Sequence, residues 1–570
     1  MQSHPIEFFK NNNIDKKWRA QQERVLNKMK DSWDKYKYFV LSLPTGVGKT
    51  FVATSIADSI HNAYILTSTL QLQDQYEKSW DQIVSLKGRS NYQCNLNTNF
   101  TVDSAPCSAD SGLIRKCKED KICAYYNQRD KALASAAMIT NPLYMLYSTH
   151  CGFAKDDGEE GAWIRRSALI VDECHNLENH LVQFAESSVD PEDYQKNFGI
   201  NTEKFVFSDD SAQNYLMVVE LFKLLQAKAA ELGAEMAREF PPSLGNSRDW
   251  ARGISAKVAE RVKKLGAKVN AVDKAIQPLK IFFNTHSTPE ELTRRWIISK
   301  EEHKNILKLS PIYGDFLFDI YLSKLADKFI FLSATPGDKN TFCKELGIKP
   351  DECLYVETES PFDPAKSPVI VTPLITLSKD RLEENVKLIG GIVDDVMNMH
   401  PGQRGIIHSV TYNLQTEIFN RVSKENRKRL ICRDMDILNG VPIPKGSYPK
   451  KYRNNELLEI HENEGGKFGS VLLAPSMMEG VDLHDDLSSF QIIVKLPWGN
   501  LGDPRIRAKN KIDGEWYANA MWRSILQASG RSTRHAEDGS VTYILDAKFK
   551  YFYDQWKGRL PTWFKDRLVF

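Results

Sequence analysis

The sequence predicts an α/β protein in two halves, each built on a parallel sheet. Three observations carry the prediction. Short apolar runs recur along the chain, in "YFVLSLP", "ALIVDECHNL", "DKFIFLSATP", "RGIIHSVTY", "SVLLAPSMMEGVDL" and "FQIIVKLPWG". They alternate with stretches of helical periodicity, the pattern of βαβ units. Each ends in polar residues, and parallel sheets place their ligands at the carboxyl ends of strands. A Pro- and Ser-rich segment, "ESPFDPAKSPVIVTP" at 359–373, reads as the link between the halves.

The bulk numbers set bounds. A chain of 570 residues suggests three or four domains at about 150 residues each. A net charge of +2 with 26% charged residues neither demands nor excludes a nucleic-acid partner, because a groove can be basic within a balanced total. No run of eighteen apolar residues occurs, so no membrane span is expected. The opening "MQSHPIEFFKNNNIDKKW" lacks the apolar core of a secretory signal. The nine cysteines are an odd number, which argues against full pairing and for a reducing compartment.

The first half opens on "LPTGVGKT", with Thr45, Gly46, Gly48, Lys49 and Thr50, between a buried strand and a helix. This is the context of a phosphate-binding loop. Glycines let backbone N–H groups turn toward phosphate oxygens at a helix N-terminus. Lys49 is expected on the β/γ-phosphates and the Thr50 hydroxyl on Mg²⁺. Leu43 stands where the general pattern has its first glycine.

Four cysteines, Cys94, Cys107, Cys117 and Cys123, then fall within thirty residues. In a reducing compartment such clustering points to a metal site. Their intervals of twelve, nine and five residues contain no CxxC pair, which structural zinc sites usually have. Four thiolates can hold a [4Fe–4S] cluster; zinc and no metal remain the alternatives.

"VDECH" supplies Asp172, Glu173 and His175 after a buried strand. Asp172 is expected to hold Mg²⁺ and Glu173 to activate the attacking water. Cys174 reads as a small buried residue. Residues 205–310 then turn to helical periodicity rich in Ala, Lys and Glu, read as an insertion between strands of the first sheet. A separate all-helical partner-binding domain is the other reading. Near the C-terminus, "QASGRSTR" carries Gln527, Arg531 and Arg534, the arginines one helical turn apart. A guanidinium over the γ-phosphate stabilises transition-state charge. Cys343, Cys353 and Cys432 read as scattered structural residues.

Taken together these segments resemble superfamily 2 helicases of the XPD/DinG-like iron–sulfur group. "WRAQQ" (Arg19, Gln22) resembles the adenine-reading Q motif, "LPTGVGKT" motif I in the form that accounts for Leu43, and "TSTLQLQDQ" (Thr67, Thr69, Gln73, Gln75) motif Ia. "DECHNL" resembles a DEAH box with Cys for Ala, "LSAT" (Ser333, Thr335) motif III and "HSVTY" (Ser409, Tyr412) motif IV. "SMMEGVDL" (Glu479, Gly480, Asp482) resembles motif V, with Gly480 and Asp482 at the nucleotide, and "QASGRSTR" motif VI.

The resemblance implies two RecA-like motor domains with ATP between them, the first carrying an iron–sulfur insertion and a helical Arch. The nine-residue gap between Cys107 and Cys117 is wide for the family these residues resemble, and Cys151 is a remote substitute. The expected division is motor domain 1 at 1–87, iron–sulfur domain at 88–135, motor domain 1 again at 136–190, Arch at 191–318, the end of motor domain 1 at 319–358, and motor domain 2 at 359–570. It implies an ATP-dependent DNA helicase moving 5′ to 3′ on single-stranded DNA, in repair, replication or recombination. ATP, Mg²⁺ and a [4Fe–4S] cluster are the expected cofactors. Single-stranded and forked DNA are the expected partners, with RNA–DNA hybrids as a further substrate. The protein is expected as a monomer off the membrane, in bacterial or virus-infected cytoplasm, or in a nucleus if eukaryotic. Lys87, Arg89 and Tyr92 are candidate DNA contacts beside the cluster. Two rivals stay open: a translocase that remodels R-loops or protein complexes with little unwinding, and an ATP-switched DNA clamp.

Overall fold

The computed structural model describes residues 18–96, 98–105, 111–150, 163–239, 256–375, 382–433, 437–438, 441–442, 454–463, 465–475, 477–478, 483, 485–530 and 539–570. The first sheet is made of β1 (Tyr38–Ser42), β2 (Ala63–Leu66), β3 (Ile83–Ser85), β4 (Ala137–Thr140), β5 (Arg166–Asp172), β9 (Ala326–Ser333) and β10 (Cys353–Glu357). Its order is β10-β1-β9-β5-β2-β4-β3, parallel throughout. All five residues of β1 are buried, as expected of a strand covered by helices on both faces.

Register decides what this sheet presents. Ser42 of β1 pairs with Ser333 of β9, and Asp172 of β5 pairs with Leu332. The phosphate loop, the acidic box and the "LSAT" segment therefore leave the sheet side by side. Leu43, the departure from the general loop pattern, is fully buried in the apolar layer beneath that edge, where a glycine would leave a hole.

Two excursions interrupt the sheet. Between β3 and β4 lies the cysteine segment, with helices Ser111–Glu119 and Ala124–Ala134. Between β5 and β9 lie two long helices, Ser211–Glu239 and Ala256–Asn284, and an antiparallel sheet. That sheet is formed by β6 (Ser187–Val189), β7 (Trp296–Lys300) and β8 (Leu307–Pro311) in the order β6-β8-β7. It joins the two ends of the helical excursion. The excursions touch: the Asn270 amide donates to the Asp103 carbonyl at 2.9 Å.

The second half repeats the architecture. β11 (Val369–Ile375), β12 (Gly405–His408), β13 (Leu430–Ile431), β16 (Val471–Ala474), β17 (Phe490–Ile493), β18 (Val541–Asp546) and β19 (Leu568–Val569) form a parallel sheet ordered β13-β16-β12-β17-β18-β11-β19. A hairpin of β14 (Ile437–Leu438) and β15 (Val441–Pro442) stands apart. Both halves thus have the predicted parallel α/β architecture.

His461 is buried in this second half. Its Nε2 donates to the Leu487 carbonyl at 2.7 Å and its Nδ1 accepts from Ser470 Oγ at 2.7 Å. Burial pushes the imidazole down to about 4 from an ordinary 6.5. The unfolded chain therefore takes up a proton here between those values and the folded chain does not. Stability should be intact above pH 6.5 and fall by on the order of 3 kcal/mol as pH drops toward 4. Urea midpoints of wild type and His461→Asn across that range check this: the variant should lose this part of the pH dependence.

Candidate active site

The loop after β1 takes its shape from two glycines in left-handed backbone, Gly46 at φ 78° and Gly48 at φ 88°. Gly48 caps helix Lys49–Ile60, whose first N–H groups face the loop. Gly46 also lacks room for a side chain, because the Phe362 ring lies where a Cβ would sit. Gln22 closes the other wall, donating to the Val47 carbonyl at 2.7 Å and accepting from Arg19 N at 2.9 Å. Arg19 itself donates to the Gly46 carbonyl. Thr45, Lys49, Thr50, Asp172 and Glu173 share with them a cleft of about 700 Å³, within the range of ligand sites.

The acids are held differently from one another. Asp172 is buried, accepts from Tyr76 Oη at 2.9 Å, and takes the Glu173 N–H at 2.9 Å. Burial and the neighbouring Glu173 push its carboxyl above the usual range, with Lys49 opposing. A cation between Asp172 and Thr50 would hold that carboxyl ionised, so the pair fits Mg²⁺. Glu173 sits at φ 49°, an uncommon conformation for a residue with a Cβ, and reaches Lys49 Nζ at 3.3 Å.

From Glu173 a polar chain runs out of the first half into the second. His175 Nε2 accepts from the Asn176 amide at 2.9 Å, which leaves the ring proton on Nδ1, 2.8 Å from Ser333 Oγ. Ser333 Oγ lies 3.5 Å from Glu173 Oε2 and accepts from Thr335 N at 3.0 Å. Thr335 Oγ1 accepts from Gln527 Nε2 at 3.1 Å. At the end of the same helix, Thr45 Oγ1 donates to the Gly530 carbonyl at 3.3 Å. Lys49, Asp172, Glu173, His175 and Gln527 are thus in one connected site. Arg531, Arg534, Glu479, Gly480 and Asp482 lie outside the described residues, as do Cys107 and Cys151.

Helix Gly514–Gly530 of the second half lies along the first half with one stripe. Trp516 Nε1 donates to Glu345 at 2.8 Å, Asn519 Oδ1 accepts from Asp338 N at 3.1 Å, and Arg523 pairs with Glu345. Gln527 and Gly530 continue the stripe. Alongside, Glu178 receives Lys509 Nζ at 2.6 Å and Arg505 Nη2 at 2.8 Å, and all three side chains are largely buried. Burial alone would raise the Glu178 carboxyl; Lys509 and Arg505 hold it below its ordinary value.

Sequence reasoning missed Tyr76, Glu178, Glu345, Lys509 and Arg523. Only Glu178 carried a signal, lying one turn beyond the acidic box. In the motif Ia segment, Thr67 and Gln73 are buried, Thr69 caps helix Leu70–Ser79, and Gln75 lines the cleft. In the motif IV segment Ser409 is buried and Tyr412 is exposed.

Three cysteines of the segment, Cys94, Cys117 and Cys123, are among the described residues. Cys94 N donates to the Phe100 carbonyl at 2.9 Å, closing a loop, and Ile122 N donates to Cys117 O at 3.0 Å. Cys123 precedes helix Ala124–Ala134, and none of the three is in a disulfide. Burial, then the thiols of Cys123 and Cys94, push the Cys117 thiol up to about 11. Among the described residues, no three His, Cys, Asp or Glu side chains are grouped to hold a metal ion. Free thiols are the donor type that an iron–sulfur cluster takes. Lys87, Arg89 and Tyr92 make contacts within the fold. Lys87 pairs with Asp74 at 2.8 Å, its N–H donates to Tyr92 Oη at 3.1 Å, and Arg89 donates to Tyr126 Oη at 3.0 Å. Cys343 and Cys353 are buried, and Cys353 Sγ donates to the Leu354 carbonyl at 3.8 Å. No helix among the described residues is long and apolar enough to cross a membrane.

The family model described as helicase C-terminal domain matches residues 395–567, and that of the type III restriction enzyme res subunit matches residues 15–206. The ATP-dependent DNA helicase CHL1 of Saccharomyces cerevisiae (strain YJM789) is 21% identical over 533 residues, covering 80% of this chain. These matches are similar to the XPD/DinG-like helicases that the motifs resemble. The chain spans 58% of the length of that CHL1 relative. ATP-dependent DNA helicase DDX11 of Mus musculus is 26% identical over 129 residues, 20% of this chain and 14% of its own. Among solved structures, an XPD helicase aligns with TM-score 0.59 and 15% identity over 95% of this chain and 98% of its own. That likeness shows the fold: two RecA-like parallel-sheet domains.

Proposed function

We propose that this chain is an ATP-dependent DNA helicase, translocating 5′ to 3′ on single-stranded DNA. The observation that carries the reading is the chain of contacts from Lys49 through Glu173, His175, Ser333 and Thr335 to Gln527. It ties the phosphate loop of one motor domain to a helix of the other, so a change at the γ-phosphate has a route into the second domain. The loop amides and Lys49 bind the phosphates, and Thr50 and Asp172 hold Mg²⁺. Glu173 orients the attacking water and takes its proton. Arg531 and Arg534 complete the site from the second domain. A clamp would need binding alone; the acid, its histidine and the coupled glutamine favour turnover.

The contact between Asn270 and Asp103 supports a strand path bounded by the two insertions, here assigned as iron–sulfur domain and Arch. Cys94, Cys107, Cys117 and Cys123 would hold the [4Fe–4S] cluster. When bound, it supplies a covalent cross-link that stiffens the insertion. Anaerobically prepared protein should absorb broadly near 400 nm and contain about four irons per chain, and Cys117→Ser should lose both. Colourless protein with one zinc or none would sink the cluster and leave the motor. A fork with a 5′ tail, opened only with ATP, tests the helicase; ATPase without opening would favour the translocase.

A further inference from the structure

A second cavity, of about 570 Å³, lies in motor domain 2. Its floor is aromatic. Trp498 lies 4.9 Å from Tyr517 and 4.9 Å from Phe552, ring centre to ring centre, and all three rings are half-buried. One wall is Trp556, with the Arg559 guanidinium 4.8 Å over its ring and paired to Glu515 at 2.9 Å. Lys548 stands exposed on the rim.

We propose that this pocket takes an unpaired nucleobase of a single-stranded nucleic acid, with an adjoining phosphate on Lys548. The inference rests on the reading of the chain as a nucleic-acid motor and adds a site to it. Three features select this occupant. Partly open aromatic faces stack on any base, which suits a strand bound without regard to sequence. The surrounding segment, residues 548–559, has four basic residues and one acidic one, a local excess that the near-neutral total conceals. The Lys548 amine makes no ion pair among the described residues. Trp498 and Lys548 also follow β17 and β18, at the carboxyl edge where parallel sheets bind ligands.

The position links the pocket to the ATP cleft. Gly514, Tyr517 and Ala518 line it, while Gly530 at the other end of the same helix meets Thr45 of the phosphate loop. Sixteen residues of helix span about 24 Å. A base held at one end bears on the element that carries Gln527.

The test uses the full chain and a short oligothymidylate carrying one 2-aminopurine, followed by anisotropy and by base fluorescence at several salt concentrations. Trp498→Leu should weaken binding by about tenfold or more and lose the quenching of the base. Lys548→Gln should keep the quenching and lower the slope of log affinity against log salt by about one. Both should keep the DNA-independent ATPase and melting temperature of wild type. Unchanged affinity and quenching in both variants, with oligonucleotide still bound, would overturn the pocket and leave the motor reading standing. Wild type that binds no single strand at all would overturn both readings.

Discussion

Glu173→Gln should cut ATP turnover by about a thousandfold while leaving ATP affinity within about threefold. The substitution keeps the shape of the side chain and removes its ability to take the proton of the attacking water. It also removes the carboxylate that pairs with Lys49 at 3.3 Å, so the lysine is released to the phosphates and binding does not suffer. The histidine beside it gives the effect a second reading. His175 Nδ1 lies 3.4 Å from Glu173 Oε2 and 2.8 Å from Ser333, so the acid is positioned by the segment that also contacts Gln527. Steady-state hydrolysis alongside binding of a fluorescent ATP analogue separates the two effects. Turnover within tenfold of wild type would remove Glu173 from the mechanism.

Glu178→Ala should destabilise the joined motor domains by about 3–5 kcal/mol. The glutamate receives two cations from helix Pro504–Ile512, and its loss leaves Arg505 and Lys509 buried without their shared counter-charge. Lys509 is fully buried, with Trp516 and Tyr313 rings 4.0 and 4.5 Å from its ammonium, so water cannot replace the carboxylate. Adding Lys509→Met should recover part of the loss, because an apolar residue of similar length removes one of the stranded charges. The first transition in a urea curve reads both effects. A loss below about 1 kcal/mol would mean the seam is wet or adjustable.

What the sequence made legible was local. Phosphate loop, acidic box and "QASG" helix each pack their chemistry into a few consecutive residues, and strand periodicity placed them at sheet edges. The seam was illegible because its partners lie far apart in the chain: Glu178 and Lys509 by 331 residues, Arg523 and Glu345 by 178. A lone acid on one helix and a lone lysine on another look like solvated surface until the fold buries them. Tyr76 was hidden for the same reason, an ordinary aromatic position that happens to meet Asp172. Lys87, Arg89 and Tyr92 show the same limit: their contacts with Asp74, Tyr126 and the loop backbone could not be read from the sequence.

The central claim is that nucleotide hydrolysis here is driven by a single strand lying across both motor domains. The most direct measurement is the ATP hydrolysis rate of the whole chain with and without single-stranded DNA. The account predicts hydrolysis stimulated at least about tenfold by the strand and abolished in Lys49→Ala. Absence of hydrolysis, or a rate indifferent to DNA, would contradict it.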